Sequence, residues 1–366
     1  MRPIYDLPTA PFHHFSRKRN PEPAYIRRSV GGPITRLAIL FLAPPFLALA
    51  FPLRSEAQVD ESLLTRRWKA DDFWAETYDR LYFTARGSLE ETGEHIQFFH
   101  WDSDGRIKFG RKDLEPSVWL GYKANTLSVS SEAEALHHTF ADAAVAVALR
   151  VGAIDEDWTV QASAGIGTAN DGRWDNLHAL YPTAAVDFAR EIDIGTLHLG
   201  LSLDGNRNIF PRYPWPYLEV ESRLGTRLDV LWGFPKTEIM FRPFKPIILS
   251  LQWAFIEDAS ARIEGDLGSG FSLFAEVSRH VDGFHLRHEE RLREFFVSSA
   301  VELGFRWVTK YMDVSLTVGY AFGQRIFTGD NLLDRTPVAS VENLPFIGLT
   351  FPSTFWAAPF SSGVPR

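Results

Sequence analysis

Three histidines and three carboxylates crowd one short stretch: His280, His285 and His288 beside Asp282, Glu289 and Glu290. Neutral imidazole and carboxylate oxygen are both good ligands for divalent cations. The same stretch carries Arg287, Arg291 and Arg293, which would pair with those acids or with lipopolysaccharide phosphates. A solvated polar loop accounts for the composition as simply, so no metal ligand is assigned. Asp102-Ser103-Asp104-Gly105 starts like a calcium loop, but the third acid and the bidentate Glu that close such a loop are missing. Asp104-Gly105 reads instead as the tight turn of a hairpin between Ile96–Phe99 and Ile107–Phe109. His137-His138 lacks a Ser and an acid at the spacing a lipid hydrolase would need. Gly165-Ile166-Gly167 opens like a dinucleotide fingerprint, but Asn170 stands where the third glycine belongs. The chain has no Gly-x-Ser-x-Gly elbow, no Walker loop and no His-Glu-x-x-His. No catalytic residue and no cofactor are assigned.

The elements that must position these residues are strands. Val297, Ser299, Val301, Leu303, Phe305 and Trp307 alternate with Ser298, Ala300, Glu302, Gly304 and Arg306. Val314, Leu316, Val318, Tyr320 and Phe322 alternate with Asp313, Ser315, Thr317, Gly319 and Ala321. Successive side chains leave opposite faces of a strand, so a two-residue period is a strand signature. Such runs reach the 9–11 residues of a tilted membrane-crossing strand, whereas soluble strands average about 5–6. Charge at the bilayer midplane costs roughly 2–4 kcal/mol for Arg or Lys, and the apolar rows carry none. Glu264, Asp266, Glu276, Glu302 and Arg306 all fall on the opposite rows and are expected to face an aqueous lumen.

Composition agrees. Aromatic residues make up 14% of 366 residues, with 29 Phe and 11 Trp, enough to furnish rings at two membrane interfaces. There is no cysteine, which excludes disulfides, thiolate metal sites and cysteine nucleophiles. The formal charge of −8 leaves no basic stripe for nucleic acid. Arg27, Arg28 and Arg36 precede an apolar run from Leu37 to Leu53, and Ser55-Glu56-Ala57 follows as a small-x-small cleavage site. That order is a secretory signal peptide over 1–57, in which Pro44-Pro45 argues against a spanning helix. The stretch before the apolar run is long for such a leader and fits a translation start at Val30.

Residues 58–93 form a separate N-terminal segment. Phe73, Trp74, Tyr78, Leu81 and Tyr82 sit at roughly helical spacing, so a short helix competes there with an irregular first strand. Residues 94–330 are expected to fold as a single antiparallel transmembrane β-barrel of the all-β class, with about 10–12 strands. Residues 331–366 are left as a C-terminal tail. Tight links at Asp155-Glu156-Asp157, Gly268-Ser269-Gly270 and Lys310-Tyr311 alternate with long ones at 169–182, 205–216 and 281–293, as periplasmic turns alternate with outer loops. Trp174, Tyr181, Tyr213, Trp215 and Tyr217 flank the long links and read as an aromatic girdle.

Gly233-Phe234-Pro235, followed by the strand Val318-Gly319-Tyr320-Ala321-Phe322-Gly323-Gln324-Arg325, resembles an uncharacterised family of bacterial outer-membrane barrels known only as a domain of unknown function. The resemblance spans about 94–330 and implies a barrel in the outer membrane of a double-membraned bacterium, with no catalytic residues to transfer. The expected role is a porin-like channel or structural barrel, in contact with outer-membrane lipids and lipopolysaccharide and open to small solutes. The alternatives are an outer-membrane lipid-modifying enzyme and a secreted soluble β-sandwich, which would show the same alternation with its apolar rows turned inward.

Overall fold

The computed structural model describes residues 75–355, apart from the short stretches 110–116, 134–135, 137, 156–157, 173, 176, 256–257, 287–291 and 309–312. The expected signal peptide, with all residues before Ala75 and those after Phe355, lies outside the described residues. Eighteen strands form one sheet. In chain order they are β1 (Ala75–Thr84), β2 (Gly87–Ser88), β3 (His95–Phe109), β4 (Ser117–Ser131), β5 (Thr139–Asp155) and β6 (Trp158–Asn170). Then come β7 (Leu180–Ile192), β8 (Gly195–Asp204), β9 (Trp215–Leu224), β10 (Leu228–Phe234), β11 (Lys236–Phe244) and β12 (Ile247–Ala254). The last are β13 (Ala259–Gly268), β14 (Phe271–His285), β15 (Arg293–Val308), β16 (Asp313–Asn331), β17 (Asp334–Val341) and β18 (Leu344–Phe355).

Sixteen of these are the staves of a closed antiparallel barrel. The ring closes because β18 lies between β16 and β1, and β1 continues onto β3. Strand β2 and the strand β17, which pairs with the far end of β16, extend the wall at one rim. Closure leaves no open sheet edge, the condition for strands to survive in lipid. Most tight turns gather at one end of the barrel, where Ala75 also pairs with Phe355, and most longer links gather at the other, although Pro235 alone joins β10 to β11 there. At the turn between β13 and β14, Gly268, Ser269 and Gly270 all have positive φ, which two glycines adopt without a Cβ penalty.

The apolar rows face outward. Val301, Leu303, Phe305 and Trp307 on β15, with Leu316, Val318, Tyr320 and Phe322 on β16, are all exposed on the wall, Leu303 by 62%. Eight residue steps separate Trp307 from Ser299, about 27 Å of antiparallel strand, against an apolar band about 25 Å tall. Phe271 stacks on Phe305 and Trp307 at the short-turn rim, with centroids 5.4 and 6.1 Å away. This is the transmembrane barrel the alternation predicts, with its apolar rows outermost.

Inside, the long-loop half is not an open bore. Phe98, Phe140, Phe284 and Phe296 meet at its centre, with Phe140 5.2 Å from Phe284 and 5.0 Å from Phe296. Ile96, Leu127, Val129, Ile326 and Val341 belong to the same cluster. The end of β14 leans across the interior until His285 pairs in parallel with Asn170 of β6. Arg293, fully buried, holds that arrangement. Its guanidinium donates to the carbonyls of Asn206 at 2.8 Å, Arg207 at 2.9 Å and Gly283 at 3.2 Å, clasping the β8–β9 link onto the β14–β15 hairpin.

Several expectations need correction. The barrel has sixteen staves rather than ten to twelve, and it runs from Ala75 to Phe355 rather than over 94–330. Ala75–Thr84 is strand, not helix: Tyr82 packs on Phe346 inside while Phe83 is exposed outside. Lys236–Phe244 escaped notice because Pro243 and Met240 blur its alternation. The supposed tail 331–366 contains β17 and the closing stave β18. Asp104-Gly105 is no turn. Strand β3 runs unbroken through it, because Asp104 and Gly105 are paired with Lys123 and Tyr122 on β4 and with Tyr78 and Thr77 on β1. The supposed loop 281–293 begins later than expected, since β14 reaches His285 and β15 starts at Arg293. Of the expected girdle, Trp174 and Tyr213 are exposed, but Tyr181 and Trp215 are buried. Val297 is also buried, in a cluster with Ile209, Trp215 and Leu332 that covers the leaning hairpin.

Candidate functional site

The short-turn half of the interior holds a ladder of charges built by the two-residue period of β13, β14, β15 and β16. Arg262 and Glu264 share one face of β13, and Arg262 is paired in register with Glu276 of β14. Glu276 in turn lies directly opposite Glu302 of β15. Two carboxylates at facing positions repel, and guanidinium groups on either side offset that. Arg80 reaches Glu302 from β1 across the interior, 3.4 Å away. Arg262 lies 3.7 Å from Glu276, donates to Glu264 at 2.7 Å, and stacks 3.5 Å over the ring of Phe274. Arg306 donates to Glu264 at 3.0 Å and, through Nε, to both oxygens of Asp313 at 2.9 and 2.8 Å. Ser272 donates to Glu264 at 2.6 Å. A cavity of about 230 Å³ lies against Arg80, Arg262, Glu276, Glu302, Arg306 and Asp313.

Glu264, Glu276, Glu302 and Arg306 are thus brought into one ladder. Asp266 is not: it is exposed, and its carboxylate accepts the Gly268 amide at 2.7 Å, capping the β13–β14 turn. Sequence reading placed Asp313 on the row opposite the apolar one without assigning it a role, and missed Arg80 and Arg262. Parity alone would have found Arg262, two residues before Glu264. Arg80 needed β1 to be recognised as a stave.

Above the ladder, toward the aromatic cluster, a second cavity of about 100 Å³ is lined by Arg80, His100, Asp102, His280, Asp282 and Ser298, among others. His280 faces Asp258 through Nδ1 at 3.2 Å and Asp282 through Nε2 at 3.1 Å. His100 Nε2 lies 3.1 Å from the Asn125 oxygen, 3.2 Å from Asp102 and 3.8 Å from Asp282. Asn125 donates to Asp282 at 2.8 Å. The histidine-rich stretch is therefore divided. His280 points into the barrel, His285 is buried near the far end of β14, and His288, Glu289 and Glu290 lie outside the described residues. His138 is exposed beside the Phe140 ring, and His137 lies outside the described residues.

The wall from β4 to β12 carries further inward polar groups. His198 and Tyr217 both contact Asp187, at 3.1 and 2.9 Å. Arg242 donates to Asp229 at 2.6 Å, and Lys236 pairs with Glu238. Tyr181 donates to Asp142 at 2.6 Å, and Lys123 lies 3.0 Å from the same carboxylate.

No protein-family description matches the chain, so the resemblance to an uncharacterised barrel family has no further support. No curated protein matches it either. Solved structures similar to it include an outer membrane channel from Pseudomonas putida F1, 11% identical with a TM-score of 0.35, covering 79% of this chain and 100% of that one. The translocator domain of the autotransporter NalP from Neisseria meningitidis is 9% identical with a TM-score of 0.28, covering 79% of this chain and 90% of that one. OprB from Pseudomonas putida is 8% identical with a TM-score of 0.27, covering 77% and 94%. At this level of similarity nothing about activity follows.

Proposed function

We propose that this chain is a porin-like barrel of the bacterial outer membrane that lets small hydrophilic solutes diffuse through a narrow, charge-lined interior. The observation that carries the reading is the division of β15 and β16: uncharged apolar side chains outside from Val301 to Trp307 and from Leu316 to Phe322, and a ladder of paired guanidinium and carboxylate groups inside. Sixteen staves enclose enough space for water. Passage is restrictive because Phe98, Phe140, Phe284 and Phe296 fill part of the long-loop half. Lipid and lipopolysaccharide contact the apolar band, and export precedes insertion, with cleavage near Ala57. Glu264, Glu276, Glu302 and Arg306, joined by Arg80, Arg262 and Asp313, set selectivity. Four carboxylates against three guanidiniums give that ladder a weak preference for cations.

The experiment is conductance of the purified protein in planar bilayers under a salt gradient. Discrete steps are expected, with a reversal potential of cation-selective sign that moves toward anion selectivity in Glu276→Gln. A protein that inserts and never conducts would overturn the channel reading and leave a structural barrel, a role that the contact between β14 and β6 would suit.

A further inference from the structure

We propose that His100, His280 and Asp282 form a binding site for one divalent transition-metal ion of the zinc and cobalt class, bridging β3 and β14 across the barrel interior. The potential ligand atoms of these three residues all lie within 4.8 Å of one another. Metal–nitrogen bonds of about 2.0–2.1 Å in a tetrahedral site set ligand atoms about 3.4 Å apart. His280 Nε2 lies 3.1 Å from Asp282 Oδ1 and His100 Nε2 lies 3.8 Å from Asp282 Oδ2, so each histidine is near that separation from one oxygen of the carboxylate. The adjoining cavity of about 100 Å³ has room for the ion and a water as fourth ligand.

Hydrogen-bond accounting is compatible with a metal ion. A neutral imidazole has one N–H, yet both ring nitrogens of His280 face carboxylates, Asp258 and Asp282. An imidazolium would donate to both; in the neutral ring one N–H satisfies Asp258 and a metal ion takes the lone pair of the other nitrogen. Asp258, on Nδ1, is placed as the outer carboxylate that fixes the tautomer of a metal-bound histidine. Asn125 donates to Asp282 Oδ1 at 2.8 Å, and its own oxygen lies 3.1 Å from His100 Nε2, a contact that metal binding must open. Three carboxylates, Asp102, Asp258 and Asp282, surround two imidazoles. Arg80 and Arg325 also border the cavity, but Arg80 is directed at Glu302 and Arg325 is exposed. With both imidazoles neutral, a divalent ion balances what remains. Mixed imidazole and carboxylate ligation favours zinc, cobalt, nickel or copper over magnesium or calcium. Such an ion would staple two walls that are separated along the ring by β15, β16, β18 and β1.

The test uses the full chain, without a histidine tag, purified in detergent, stripped with chelator and titrated with Co²⁺. One Co²⁺ per chain is expected, with visible absorption bands of nitrogen–oxygen ligation that Zn²⁺ abolishes by displacement. His100→Ala/His280→Ala should lose the bands, His285→Ala should keep them, and Asp258→Asn should weaken binding about 10–100-fold. Heat-modifiable gel mobility verifies that each variant is folded. The titration of the unaltered chain needs no variant, so a misfolded double variant does not rescue the proposal. Absence of stoichiometric binding by the unaltered chain, or bands that persist in a folded double variant, would overturn it. Binding is read without conductance, so it can fail or hold independently of the channel reading.

Discussion

Glu302 and Leu303 are chain neighbours with opposite surroundings: Glu302 is 5% exposed inside the ladder, and Leu303 is 62% exposed on the outer wall. Substitutions at the two positions should therefore fail for different reasons. Leu303→Arg places a charge in the apolar band and should cost about 2–4 kcal/mol, read as a lower denaturant midpoint for refolding into lipid vesicles. Glu302→Ala removes the partner of Arg80 and should cost about 1–3 kcal/mol, which Arg80→Ala in the same chain should partly restore. Gly304 belongs to the same strand and has no side chain because the Phe274 ring lies over it. Gly304→Ala should cost about 1–3 kcal/mol through overpacking, measured in the same refolding assay.

At the scale of elements, turn length assigns sides. Short turns belong at the periplasmic end and long links outside. The chain has no cysteine, so single introduced thiols report cleanly. A cysteine at Tyr213, exposed in the β8–β9 link, should react with an impermeant maleimide on intact cells. One at Ile194, exposed in the β7–β8 turn, should react only after the outer membrane is opened. The reverse pattern would invert the topology. The Arg293 clasp makes a separate prediction. Arg293→Met removes the donors that hold Asn206 and Arg207, so amides of residues 206–209 should exchange with deuterium markedly faster while the staves stay protected.

For the whole molecule, the decisive feature is that a ring of sixteen staves is partly closed by its own side chains. Phe296 is 9% exposed and touches Phe98, Phe140 and Phe284. Phe296→Ala should cost about 3–5 kcal/mol in stability and raise single-channel conductance in planar bilayers. Unchanged conductance in a folded variant would mean that solutes pass along the β7–β13 side instead.

The amino-acid sequence by itself determined the class of this protein. Period-two alternation is a local property, so Val301 to Trp307 and Leu316 to Phe322 declare their outward face without any partner, and Glu264, Glu276, Glu302 and Arg306 declare the inward one. The sequence misled where a strand's two faces are similar. Strand β18 carries Pro345, Phe346, Ile347 and Leu349, because Phe346 points inward over Gly319, and its alternation is lost. Tyr78 and Tyr82 in β1 imitate a helical stripe. Only the tertiary structure decided the number of staves, the lean of β14 onto β6, and the meeting of His100 with His280, which lie far apart in the chain. Those are consequences of ring closure. Which inward side chains face each other across a barrel depends on strand number and stagger, and no local pattern encodes either.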